Sequence, residues 1–315
     1  MTRHFLRDDD LSPTEQREVL ALAATLKQAP YDSHSLAGPR TVATIYDKPT
    51  LRTQASFAAG IAELGGNPMM VDGSLAGIGK RESVADVARV LGRQASVIVW
   101  RTYAQTALDE MAEHAGVPVV NALTDEFHPC QLLADLLTIR ENKGELAGLV
   151  VAFVGDGACN MGNSWLIAGA TAGLHVRVAA PEGHQPEDQY VARAREIAAQ
   201  TGGSAEVMTD PKAAVDGADV VVTDTWVSMG KEEEVADRLA AFSGYTVTTE
   251  LMSLAATDAI VLHCLPAYRG KEIDAEVLDG PQSAVWDEAE NRRHAQKAII
   301  TWLMRETSDL EEVPQ

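Results

Sequence analysis

Short runs of apolar, β-branched residues alternate along the chain with stretches whose apolar positions recur every three to four residues. Ser12-Pro13-Thr14-Glu15 is a capping box with proline at the first helical position, and it predicts a helix to about Lys27. Buried strands are predicted at 41–46 (TVATIY), 68–72 (PMMVD), 96–100 (SVIVW) and 117–121, with helices over 50–64, 82–93, 104–114 and 129–143. A second series opens at 149–156 (LVVAFVGD), a continuous apolar run of the kind shown by a strand covered on both faces. It continues with a helix at 160–173, a strand at 175–180, a helix at 186–201, strands at 204–208, 219–224 and 259–265, and a last helix from about 287 to 306. Alternation in two blocks predicts an α/β chain of two doubly wound parallel-sheet domains. The polar stretch Glu141-Asn142-Lys143-Gly144-Glu145 sets the break, giving domains at 1–145 and 146–286. Only the tail from Glu306 to Gln315 reads as frayed.

Composition narrows the partners. With 46% hydrophobic and 23% charged residues among 315, the chain has ample material for a core and room for two domains. It carries 26 Lys and Arg against 46 Asp and Glu, a net charge of −20. That balance excludes nucleic acid or an anionic membrane surface as the main partner. A phosphate-bearing ligand would have to be held by local arginines and backbone donors, against the sign of the whole. No apolar run approaches ~18 residues, so no membrane-spanning helix is expected, and the start, MTRHFLRDDD, lacks an apolar signal core. Cys130, Cys159 and Cys264 are an odd count at wide spacing and read as reduced thiols of a cytoplasmic protein.

In open parallel sheets, ligands bind beyond the carboxyl ends of the strands, so the residues that follow each strand matter most. Thr50-Leu51-Arg52-Thr53 opens a helix after the first strand, where free N–H groups, two hydroxyls and a guanidinium suit an anion. The plainer alternative is a capped helix with a surface arginine. Arg101 directly after an apolar strand is either a ligand-facing charge or half of a structural ion pair. His128 and Gln131 share one face at the start of a helix, where they could donate to a carbonyl oxygen and orient an amide, or simply cap and face solvent. Asp224 and Ser228 straddle a loop closed by Gly230, and the carboxylate could pair with an ammonium or cap a helix. Cys264 beside His263 suggests a nucleophilic thiol, against the commoner inert cysteine at a strand end. His263, Cys264, His128 and Cys130 could form a metal set, but no C-x-x-C pair supports one, and no metal is expected. Gly155-Asp156-Gly157 has the look of a dinucleotide loop, but Asn160 stands where the third glycine should fall and is better taken as a polar donor.

HPCQ (128–131), DTWVSMG (224–230), HCLP (263–266) and AENR (289–292) occur in that order, within a match running from RHFLRDDDLSP to AENRRHAQK. Together they resemble the aspartate/ornithine carbamoyltransferase family. The resemblance implies transfer of a carbamoyl group from carbamoyl phosphate to the δ-amine of L-ornithine, giving citrulline and phosphate in arginine metabolism. It also implies a carbamoyl phosphate domain followed by an ornithine domain, with the last helix, 287–306, returning to the first. A homotrimer with active sites between subunits is implied, without metal or organic cofactor. Thr50, Leu51, Arg52 and Thr53 would hold the phosphate, with Arg52 foremost. Arg101, His128 and Thr53 would polarise the carbonyl oxygen. Gln131 and the Leu265 backbone carbonyl would hold the carbamoyl NH₂, and Arg292 would add a further carbamoyl phosphate contact. Asn160, Asp224, Ser228 and the Met229 backbone would grip the α-amino and α-carboxylate groups. Cys264 would lie against the carbamoyl group and the attacking amine.

The chain departs from the family pattern in three places. It reads T-L-R-T-Q at 50–54 where the family usually reads S-T-R-T-R, so Leu51 loses a hydroxyl and Gln54 a cation. Gly77 stands where relatives carry Gln or His reaching a neighbouring subunit's phosphate, and Lys80 or Arg81 is expected to reach across instead. Cys159 stands where Asn is common. These changes keep two alternatives in view. One is a carbamoyltransferase for another amine (lysine, putrescine or an acylated ornithine), although Asp224 and the SMG loop argue against putrescine. The other is a catalytically weak, metabolite-binding relative.

Overall fold

The computed structural model describes residues 2–227 and 235–311. It divides into two compact units, one of residues 1–134 and 290–315, the other of residues 135–289.

The first unit begins with α1 (Pro13–Gln28), closed as its capping box requires. Ser12 Oγ accepts the Glu15 N–H at 3.3 Å, and Glu15 Oε2 accepts the Ser12 N–H at 2.8 Å. There follow β1 (Thr41–Tyr46), α2 (Arg52–Glu63), β2 (Asn67–Asp72), α3 (Gly73–Ala76), α4 (Val84–Leu91), β3 (Val97–Arg101), α5 (Gln105–Ala115), β4 (Val119–Leu123) and α6 (Pro129–Lys143). The strands form one parallel sheet in the order β2-β1-β3-β4. Its inner strands are rich in Val and Ile and almost wholly buried, as strands covered by helices on both faces must be. The order reverses between β1 and β3, and a ligand crevice forms where such a reversal splays the flanking connections apart. The register pairs Tyr46 with Arg101, so the turn after β1 and the end of β3 leave the sheet side by side.

The second unit holds β5 (Val150–Val154), α7 (Asn160–Thr171), β6 (His175–Ala179), α8 (Asp188–Thr201), β7 (Ser204–Met208), α9 (Pro211–Val215), β8 (Val220–Thr223), α10 (Val235–Ala241), α11 (Thr249–Met252), β9 (Ile260–His263) and α12 (Ala275–Leu278). Its parallel sheet runs β7-β6-β5-β8-β9, so here the reversal lies between β5 and β8. Beneath this edge Trp226 stacks on Phe242, with centroids 5.5 Å apart.

The last helix, α13 (Val285–Glu311), rejoins the first unit from residue 290 onward. Lys27 Nζ donates to Asn291 Oδ1 at 2.8 Å, and Arg3 lies 5.0 Å over the Trp302 ring. The strongest tie is Lys297, whose side chain is fully buried. It pairs with Glu63 of α2 at 2.7 Å and donates to the Pro30 carbonyl at 2.6 Å. A buried ammonium is tolerable only when its charge and protons are answered in this way.

Several predicted boundaries move. α2 starts at Arg52, leaving Thr50 and Leu51 in the turn before it. α3, α9, α11 and α12 have four or five residues each, too few for a helical period to register, and α10 also went unpredicted. Of the tail expected to fray from Glu306 to Gln315, residues 306–311 continue the helix, and 312–315 lie outside the described residues. No helix among the described residues is long and apolar enough to cross a membrane.

Lys297→Ala removes the ion pair without relieving the burial of its partners, and should lower the unfolding free energy by about 3 kcal/mol. A urea titration of the full chain reads this as a lower midpoint. A change below about 0.5 kcal/mol would reduce the pair to the rank of a surface one.

Candidate active site

The reversal point of the first unit collects residues from four elements around one hydroxyl. Thr53, at the start of α2, is buried. Its Oγ1 accepts from Arg292 Nη2 of α13 at 2.9 Å and from Arg101 Nη1 at the end of β3 at 3.5 Å. Arg292 Nη1 also donates to Gln131 Oε1 on α6. Arg101, Gln131 and Arg292 are all buried. Thr50 Oγ1 accepts the Thr53 N–H at 3.4 Å, drawing the turn against the first turn of α2. Arg52 is half-buried, while Leu51 is 76% exposed. Gln54, half-buried, adds no charge.

His128 completes the cluster. It is buried, and its imidazole is held well below its usual range, first by loss of solvent and then by Arg292, Arg101, Lys48 and Arg52. It is therefore a neutral ring at physiological pH, set among four cations in a chain of net charge −20. Its backbone carbonyl accepts the Gln131 N–H at 2.9 Å, which begins α6.

Lys48, which follows β1, was not picked out from the sequence. It is buried against Asp125 at 2.5 Å, with its ammonium 4.4 Å from the centre of the Tyr103 ring. Its place after a strand end is the signal that could have found it. Nothing in sequence spacing marks Asp125 as its partner.

The second unit gathers its own set at the β5–β8 reversal. Gly155, at φ +141°, turns the chain sharply out of β5. A Cβ on Gly162 would lie 2.2 Å from the Gly157 carbonyl oxygen, so α7 packs close beneath this loop. Asn160 is the first residue of α7 and is half-buried. Asp156 accepts from Arg238 of α10 at 2.6 Å, and Arg238 also donates to the Trp226 carbonyl at 3.0 Å. Asp224 leaves β8 beside Cys264, which leaves β9, because the register pairs Thr223 with His263. Burial raises the Asp224 carboxyl above its usual range, against the lowering influence of His263, Cys264 and the Thr225 N–H. Leu265 stands in the left-handed region at φ +57°, unusual for a branched residue, and this turns the backbone at the carbonyl assigned from the resemblance. Ser228 and Met229 lie outside the described residues.

Asp224, His263 and Cys264 bring three potential metal-ligand atoms within 4.8 Å of one another. The ring of His263 is already committed. Nδ1 accepts the Leu265 N–H at 2.9 Å, so Nε2 carries the proton and faces Glu272 Oε1 at 3.2 Å. The bonds shape the loop rather than leave a ligand open, and Glu272, fully buried, is a partner that no motif announced.

Residues 3–141 match the carbamoyl-P binding domain of the aspartate/ornithine carbamoyltransferase family, and residues 147–303 match its Asp/Orn binding domain. The ornithine carbamoyltransferase of Clavibacter michiganensis subsp. michiganensis is 62% identical over 307 residues, 98% of this chain and 100% of that protein. The solved ornithine carbamoyltransferase from Pyrococcus furiosus has a TM-score of 0.91 at 42% identity, covering 95% of this chain and 96% of its own. An acetylornithine transcarbamylase complexed with acetylcitrulline has a TM-score of 0.87 at 30% identity, covering 95% and 98%.

The thiols have a common state. Burial pushes Cys130 up to about 12 and holds Cys159 and Cys264 well above the usual thiol range. Cys264 Sγ donates to Asp224 Oδ1 at 3.2 Å, as a protonated thiol does. A raised pKa means less thiolate at any given pH, which argues against a nucleophilic role for Cys264. Alkylation by iodoacetamide at pH 8, followed by intact mass, should run at least about tenfold slower than for a free thiol. Rapid single-site labelling at Cys264 would contradict this.

Proposed function

The chain belongs to the aspartate/ornithine carbamoyltransferase family, and we propose that the first unit's cluster receives carbamoyl phosphate while the second unit's receives the amino acid. The reaction is transfer of the carbamoyl group to the δ-amine of L-ornithine, giving L-citrulline and phosphate within arginine metabolism. The observation that carries the assignment of residues is the convergence of Arg101 and Arg292 on Thr53 Oγ1, with neutral His128 among the cations.

The chemistry follows from these donors. Attack by the neutral δ-amine places negative charge on the carbamoyl oxygen, where Arg101, Thr53 and the N–H of His128 stabilise it. A neutral imidazole can only share its proton there, which suits an oxygen whose charge is transient. Gln131 and the Leu265 carbonyl take the carbamoyl NH₂. The C–O bond to phosphate breaks as the amine gives up its proton to the departing phosphate, which leaves as the HPO₄ dianion toward Arg52, Arg292 and the N–H groups at 50–53, where the positive end of α2 adds to the attraction. Leu51 still offers its backbone N–H, and the buried cations offset what Gln54 lacks. Asp224 has a carboxylate that burial disfavours, and an α-ammonium beside it restores the charged form. Asn160, Ser228 and the Met229 backbone share the grip on the α-groups. Cys264, as a thiol on Asp224, holds that carboxylate in place beside the amine.

The assembly proposed is a homotrimer in the cytoplasm. β2 is an edge strand of its sheet, with Met70 and, just beyond it, Leu75 exposed, the kind of edge that a second copy covers. Three free thiols suit a reducing compartment. Lys80 and Arg81 are exposed on the tight turn that Gly77 opens at φ +67°, and one of them serves the phosphate of a neighbouring subunit.

Arg101→Ala should lower turnover by about 10²–10³ in a citrulline assay with carbamoyl phosphate and ornithine. Near-normal turnover would remove Arg101 from the mechanism. The same assay with lysine, putrescine and N-acetylornithine should give little product beside ornithine. Mixed trimers of Lys80→Ala or Arg81→Ala subunits with Arg101→Ala subunits test the reach between copies. Sites that keep Arg101 but face a substituted loop should bind carbamoyl phosphate more weakly, and unchanged affinity for both loop variants would end the idea.

A further inference from the structure

The turn at 124–127 delivers His128 to the cation cluster, and buried polar groups outside that cluster tie the turn down. The Thr124 N–H donates to the Phe127 carbonyl at 2.9 Å, and Thr124 Oγ1 accepts the Phe127 N–H at 3.1 Å. The hydroxyl proton goes to Gln105 Oε1, on the first residue of α5, at 2.8 Å. Gln105 Oε1 also accepts from Asn121 Nδ2 at 3.4 Å. The amides of Gln105 and Asn121 both donate to the Leu6 carbonyl, at 3.3 and 2.8 Å. The flanks are held as well. The Asp125 N–H donates to the Tyr103 carbonyl at 2.7 Å, and the Arg7 guanidinium lies 4.9 Å over the Phe127 ring.

Gln105, Asn121 and Thr124 are buried. Three apolar side chains would fill the same space at lower desolvation cost. What the polar network adds is direction, because each of its donors has few acceptors within reach. The Thr124 proton has its near acceptor in Gln105 at 2.8 Å, with the Phe127 carbonyl farther off at 3.4 Å, and a lone pair faces the Phe127 N–H. That sets the backbone of the turn one residue before His128. On its other side His128 is held by α6, through its carbonyl and the Gln131 N–H.

We propose that Gln105, Asn121 and Thr124 form a positioning frame for His128, fixing the backbone from which the imidazole reaches the carbamoyl oxygen. None of the three touches substrate. The frame rests on the reading of His128 as a donor to that oxygen, and small displacements of such a donor are costly.

Thr124→Val keeps the shape and removes the hydroxyl. In the full-length enzyme kcat should fall about 10- to 100-fold, while KM for ornithine stays within about twofold. Thr124→Ser should recover turnover to within about threefold, since the hydroxyl alone carries the effect. Gln105→Met removes the acceptor and leaves the turn's sequence intact; it should behave as Thr124→Val does, and it stands in if that variant fails to fold. In a His128→Asn background there is no imidazole left to place, so adding Thr124→Val should cost less than about twofold in kcat. Equal losses in both backgrounds overturn the frame. So do unchanged kcat values for Thr124→Val and Gln105→Met beside a loss of about 100-fold in His128→Asn, which would leave the role of His128 standing. Wild-type turnover in His128→Asn overturns the donor role and the frame together.

Discussion

Guanidinium groups buried in a strongly acidic chain are the constraint on which the first unit turns. Arg101 and Arg292 are both buried, and each gives a donor to the neutral hydroxyl of Thr53. The Thr53 hydroxyl fixes the direction of both groups without adding a charge, and desolvation strengthens their field because little water is present to screen it. Burial first, and then these cations, depress the basicity of His128, so one buried arrangement sets both the attraction for the leaving group and the protonation state of the donor.

That arrangement needs a scaffold that can hold cations from distant parts of the chain at one point. The parallel sheet supplies it. Strand order reverses between β1 and β3, so the turn carrying Thr50–Thr53 and the end of β3 carrying Arg101 emerge together. α13 then carries Arg292 from the far end of the sequence, fastened by Lys297 on Glu63 and the Pro30 carbonyl. A lysine this buried would be a liability on an unanchored helix. Here it makes the return of α13 specific, since the ammonium finds its partners in only one seating.

How much of this could be read from the sequence follows from the same physics. Strands with apolar runs announce themselves, and in a parallel sheet their carboxyl ends are where ligands go. Thr53, Arg101, His128, Gln131 and Asp224 could therefore be singled out one by one from local context. Their meetings could not, because Arg292 and Thr53 are joined through folding and not through spacing. Arg292 was legible only by family resemblance. Lys48 was missed although it follows a strand, since its burial depends on Asp125 and Tyr103, two loop residues with no periodic signature. Glu272 lay further beyond reach, as its carboxylate matters through the ring of His263 nine residues earlier. The helices of four and five residues escaped for want of a period to detect.

The departures at 50–54 can be weighed on these terms. A hydroxyl missing from Leu51 costs one neutral donor at a solvent-facing position, where water already competes for the anion. A cation missing from Gln54 costs more in principle, but its distance from the buried centre matters. Charges deep in the unit act through a low effective dielectric, while one at a half-buried position is partly within reach of solvent, whose ions screen exposed charges over about 8–10 Å at ordinary ionic strength. Arg101, Arg292 and Lys48 are the buried members, and all three are present here. The pattern that changed is the outer part of the phosphate turn, and the pattern that stayed is the part whose field water cannot weaken. A chain can thus lose two of the most visible letters of its signature and still keep the physical basis for attracting a phosphate and steadying a carbonyl oxygen.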